Sequence, residues 1–150
     1  MLRQGYLALT CLFLACCSPP DDRNPELPLS AQDASRIELH VPNKPLPPES
    51  TNVYYQDWEG MDSFQVVRFD LPLAKAKAIM TDLTGMAPAA VSPDGVRAMR
   101  KTGLPFPSWW TIPEGAQGVT GARKDSCWPQ SYVIVPTEGI ARVYFTSSTC

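Results

Sequence analysis

Ser131-Tyr132-Val133-Ile134-Val135-Pro136-Thr137-Glu138-Gly139-Ile140-Ala141-Arg142-Val143-Tyr144-Phe145-Thr146 reads as two β-branched and aromatic runs joined by a turn in which Gly139 can take a positive φ. That is a β-hairpin. Two registers are open, one setting Val135 against Ile140 and one setting Thr137 against Ile140 around a tight Glu138-Gly139 turn. They share a parity, so either places Tyr132, Ile134, Ala141, Val143 and Phe145 on one face, with Val133, Arg142 and Tyr144 on the other. The first set is wholly apolar and is taken as the core face.

Upstream, Phe64-Gln65-Val66-Val67-Arg68-Phe69 is a further strand, ending at Asp70. The period then changes. Leu73, Ala76, Ile79, Met80 and Leu83 recur at three- and four-residue steps while Lys75, Lys77 and Asp82 fall elsewhere, which predicts an amphipathic helix over 72–84. Pro72 fits its first turn and Gly85 its stop. Ser92-Pro93-Asp94 opens a second, shorter helix terminated by Gly103 and weakened by Gly95 in its interior. Arg36 to Val41 alternates polar and apolar up to Pro42, as a half-buried strand does, and Val53-Tyr54-Tyr55 is another short strand. Leu104 to Gly121 is a loop around Trp109 and Trp110. The whole predicts a single α+β domain over residues 35–150. It comprises a small antiparallel sheet with a C-terminal β-hairpin, covered on one side by the amphipathic helix, and the second short helix.

Composition bounds the rest. A length of 150 residues suits one compact domain, and 13 Lys plus Arg against 15 Asp plus Glu leave a net charge of -2. No positive field is available to hold phosphate backbones, so no nucleic-acid partner is expected. No stretch approaches the roughly 20 apolar residues of a membrane-spanning helix.

The N-terminus carries an address. Arg3 precedes an uncharged, mostly apolar run from Tyr6 to Ala15, too short to span a bilayer and shaped as a signal-peptide core. It ends in Leu12-Phe13-Leu14-Ala15-Cys16-Cys17, after which Pro and acid dominate. This resembles a bacterial lipoprotein signal. The resemblance implies cleavage after residue 15, attachment of lipid to the Cys16 thiol, and fatty acyl chains that hold the mature protein to a membrane. Cys16 fits best because Ala15 supplies the small residue before it, although Phe13 stands where such signals more often have Leu. Cys17, which follows the lipid site and is not Asp, implies by the same resemblance the outer membrane facing the periplasm in a bacterium with two membranes. From Cys17 to Ala34 the chain has four prolines, four acids and no aromatic residue, so residues 16–34 are read as the lipidated cysteine and a flexible tether.

Catalytic chemistry is sparse. His40 is the one histidine, it is read as a solvent-facing strand residue, and the cysteines show no metal-ligand spacing. No cofactor is expected, and neither is an enzyme. Asp57, Glu59 and Asp62 around Trp58 are the remaining acid pairing of the kind that cleaves sugars. Arg97, Arg100 and Lys101 with Arg123 and Lys124 are an anion-binding alternative to a solvated surface. The aromatic set around Trp58, Trp109 and Trp110 is the candidate partner-binding region. Adjacent residues of an extended segment point oppositely, so one indole of the Trp109-Trp110 pair is expected inward and the other toward solvent. Pro107-Ser108-Trp109-Trp110-Thr111-Ile112-Pro113 before two strands loosely resembles small bacterial proteins with a Trp-Trp-x-x-Pro loop, and no activity comes with that. In the tighter hairpin register Cys127 stands opposite Cys150, which predicts a disulfide in an oxidising compartment. The functional expectation is a lipid-anchored, non-catalytic envelope protein that binds a protein or an envelope polymer. The alternative is an immunity or inhibitor lipoprotein acting against a toxin or cell-wall hydrolase.

Overall fold

In a computed structural model of the chain, which describes residues 24–40, 43–59, 63–100, 103–120 and 130–148, the elements run α1 (Ala31–Ala34), β1 (Glu38–Leu39), β2 (Lys44–Pro45), β3 (Thr51–Trp58), β4 (Phe64–Pro72), α2 (Leu73–Thr84), β5 (Ala89–Ala90), α3 (Pro93–Ala98), β6 (Gln117–Val119), β7 (Gln130–Thr137) and β8 (Ile140–Ser148). Strands β1 and β2 form a separate ribbon. The other six make one antiparallel sheet in the order β3-β4-β8-β7-β6-β5. This is the expected α+β fold with its C-terminal hairpin.

The hairpin takes the tighter register, with Thr137 opposite Ile140 and Tyr132 opposite Phe145. Glu138 and Gly139 both have positive φ, 21° and 84°, the handedness that matches the twist of the flanking strands. Pro136 lies within β7 at no cost to the ladder, because β6 pairs with β7 only from Tyr132 to Ile134. Helix α2 starts directly after Pro72 and stops where Gly85, at φ 72°, donates its N–H to Thr81 O at 2.8 Å. Its Ala76, Met80 and Leu83 are buried against Val67, Phe69, Tyr132, Val143 and Phe145 of the sheet, with Ile79 partly buried beside them, but Leu73, expected on the same face, is 41% exposed in the first turn of the helix.

Several expectations are corrected. The segment 36–41 is not a six-residue strand: Ile37 and Leu39 do face the core, but only Glu38 and Leu39 pair, with β2. Gln65 joins that ribbon to the sheet, donating to Glu38 O at 2.9 Å and accepting from His40 N and Ser147 Oγ at 3.1 Å each. His40 is therefore half-buried rather than solvent-facing. Strand β3 is longer than Val53 to Tyr55, β5 and β6 are additional to the expected strands, and α3 ends at Ala98, capped by Met99, instead of running to Gly103. Gly95 is there for space: a Cβ would lie 2.8 Å from Thr120 Oγ1.

Both faces of the sheet are covered, not one. Opposite α2, Phe64, Val66, Val133 and Tyr144 lie under Met99, Trp109, Trp110 and Ala116, so an irregular aromatic loop does the work of a second helical layer. Nor is the whole of 16–34 free of the domain. Leu29 N donates to Val53 O at 2.7 Å, Leu29 and Ala34 pack on the core, and Pro25 O accepts from Trp109 Nε1. Apolar composition missed this because backbone and carboxylate hydrogen bonds hold that segment.

Candidate binding face

Strands β3, β4 and β8 present their even-numbered residues to the aromatic loop. The register sets Trp58 beside Phe64, and Tyr54 beside Arg68 beside Tyr144. Loop residues complete a chain of ring contacts: Trp58 to Phe106 at 5.5 Å, Phe106 to Trp110 at 5.9 Å, Trp110 to Tyr144 at 5.4 Å, and Tyr54 to Trp109 at 5.6 Å. Such pairs add to the area they bury.

The expectation that one indole of the Trp pair faces solvent is overturned, since Trp109 and Trp110 are 7% and 1% exposed. The chain turns here, with Trp110 N donating to Pro107 O at 3.0 Å and Thr111 N to Trp109 O at 2.9 Å. Opposite pointing holds for extended backbone only. The turn brings both rings inward, edge to face at 5.8 Å. Trp58, Phe106 and Tyr54 are left half-buried at the rim.

The N-terminal segment is clasped to this rim. Trp109 Nε1 donates to Pro25 O at 2.6 Å, and the Glu26 carboxylate accepts from Ser108 N at 2.9 Å and from the Ser108 hydroxyl. Those two bonds, the hydroxyl's the stronger, hold the Glu26 carboxyl below its ordinary pKa. No local residue pattern signals this clasp.

The basic patch is not assembled among the described residues. Arg97 pairs with Asp94, while Arg100 donates to Trp110 O at 2.7 Å and lies over the Phe106 ring, supporting the loop. Lys101, Arg123 and Lys124 lie outside the described residues, as do Cys16, Cys127 and Cys150. The acid set is not assembled either: Asp57 pairs with Gln65, so it projects to the face opposite Trp58, and Asp62 is outside the described residues. Among the described residues no group of three His, Cys, Asp or Glu is arranged to hold a metal ion, and no helix is long and apolar enough to cross a membrane.

Sequence reasoning missed a polar row at the hairpin end of this face. Asp70 faces Arg142 across β4 and β8; its Oδ1 accepts from Arg142 Nε at 3.2 Å and its Oδ2 from Asn52 Nδ2 at 2.9 Å. In the next row Arg68 lies 3.9 Å over the Tyr54 ring. Burial pushes the Tyr144 hydroxyl pKa up, against the opposing pull of Arg142 and Arg68. A charge inside the apolar run from Phe64 to Phe69 was the available signal.

No protein-family model, no curated protein and no solved structure matches the chain.

Proposed function

We propose that the chain is a lipid-anchored, non-catalytic cell-envelope protein that binds another protein or an envelope polymer through the aromatic rim at Trp58, Phe106 and Tyr54. The observation that supports the binding reading is the clasp at Pro25 and Glu26. It ties the segment nearest the proposed anchor to the loop that carries Phe106 of the rim. The anchor reading rests on the run from Leu12 to Cys17. Eight residue steps separate Cys16 from Asn24, at most about 28 Å of chain, so on this reading the rim works close to the lipid surface.

Two measurements test the proposal together. The full chain should label with palmitate and pellet with membranes, and Cys16→Ser should do neither. Crosslinking in intact cells should then capture a partner that Trp58→Ala loses while its melting temperature stays within a few degrees of wild type. Labelling that persists in Cys16→Ser sinks the anchor, and capture indifferent to Trp58 sinks the rim.

The disulfide belongs to the same proposal. The observed pairs, Gln130 with Ser147 among them, have residue numbers that sum to 277, and Cys127 with Cys150 share that sum, so the same register carried three residues further would oppose them. Closing that loop should stabilise the domain by about 3 kcal/mol. Mass mapping of unreduced protein should find a peptide pair joined through these cysteines; full alkylation of Cys150 without reductant would refute the bond.

A further inference from the structure

Arg68 is a charge set in a buried row of the sheet. It sits in the middle strand of the run β3-β4-β8, is 9% exposed, and its Nε is shut off from water with no acceptor. Among the described residues none accepts a hydrogen bond from its guanidinium. The carboxylate in the next row, Asp70, is already engaged on both oxygens by Arg142 and Asn52. Two cations thus share one acid, and the deeper cation is the one without it.

A buried charge that lacks its partner is costly, and an apolar side chain of similar length would fill the site more cheaply. The Arg68 guanidinium carbon lies 3.9 Å from the centre of the Tyr54 ring, which supports the group from one side. A planar fork of donors held this way suits the two oxygens of an oxyanion. Tyr144 stands beside Arg68 across the β4–β8 pairing, and Arg142 lies two residues before it on the same face of β8. The row is open at the hairpin end, where Asn52 is exposed and the Arg142 side chain is 30% exposed.

We propose that Arg68, oriented by Tyr54 and assisted by Tyr144 and Arg142, is a binding site for an oxyanion, either a carboxylate or a phosphate. The inference goes beyond the rim-binding reading above and depends neither on it nor on the lipid anchor. The test uses the full chain in mild detergent, titrated with acetate and separately with inorganic phosphate at constant ionic strength, with Tyr and Trp fluorescence and calorimetry as readouts. At least one anion should bind saturably at one site per chain. Arg68→Gln should weaken that binding at least about tenfold, and Arg68→Lys, which keeps the charge and loses the fork, should fall between. Arg68→Leu should abolish binding while melting at or above the wild-type temperature. The stronger of the two anions identifies the source, carboxylate or phosphate. Absence of saturable binding by both, equal binding in Arg68→Gln, or a clear drop in the melting temperature of Arg68→Leu would each overturn the site.

Discussion

Replacing Gly118 with alanine is expected to destabilise the domain by about 3 kcal/mol or more and to lower its melting temperature on the order of 10 °C. Gly118 lies in β6 opposite Val133. A Cβ built on it would sit 1.9 Å from Tyr132 O, 2.7 Å from Val133 Cα and 2.9 Å from Tyr132 C, all backbone atoms of β7. Backbone cannot rotate away as a side chain can, and β7 is fixed from its other edge by β8 along its whole length. The substitution must push β6 off the sheet. With β6 would go the pairing to β5 and the seating of Ala116 in the aromatic layer. Gly115 is the control: it has φ 80° and open space around its Cβ position, so alanine there costs only backbone strain of about 1–2 kcal/mol. Urea unfolding of the two variants measures the difference. Equal midpoints would mean that β6 does not approach β7 this closely.

The elements legible in the sequence are those whose pattern is local. The face Tyr132, Ile134, Ala141, Val143 and Phe145 follows from period-two alternation alone, and the face of α2 from a period near 3.6, so neither needed knowledge of a neighbour. Only the hairpin register was left open. Turn chemistry at Glu138 and Gly139 decides it, and a glutamate at positive φ is not a strong signal by residue type. Strands β5 and β6 are two and three residues long; β6 exists because β7 offers it an edge and β5 because β6 does, which no window of sequence contains. The expectation of a solvent-facing indole at Trp109-Trp110 fails for a related reason. The rule of alternating sides was sound, but the turn between Pro107 and Thr111 removed its premise. The polar row at Arg68 and Asp70 was half visible, since Arg142 and Tyr144 already shared a face, and what was missing was which strand lay beside them.

The substitution Trp110→Ala is expected to cost 3–5 kcal/mol, although nothing polar is lost with the ring. Trp110 is the centre of the aromatic layer, edge to face with Tyr144 at 86° and in contact with Phe106 and Trp109. Its Nε1 is buried without an acceptor, so the loss is packing and cavity rather than a hydrogen bond. Trp110→Phe should therefore recover much of the stability, because it keeps an edge for Tyr144 and removes an unsatisfied N–H. Trp109→Ala differs in kind: it breaks the 2.6 Å bond to Pro25 O and the contact with Tyr54, and so should release the clasp as well as destabilise the layer. Urea unfolding followed by far-UV circular dichroism separates the two, and limited proteolysis near residue 25 should speed up in Trp109→Ala beyond what its global stability explains. The consequence for function is that lost partner capture in a Trp110 variant reports a damaged fold, whereas the half-buried Trp58 tests the surface itself. A Trp110→Ala protein within about 1 kcal/mol of wild type would show that the loop is not a structural layer, and would return both indoles to consideration as contact residues.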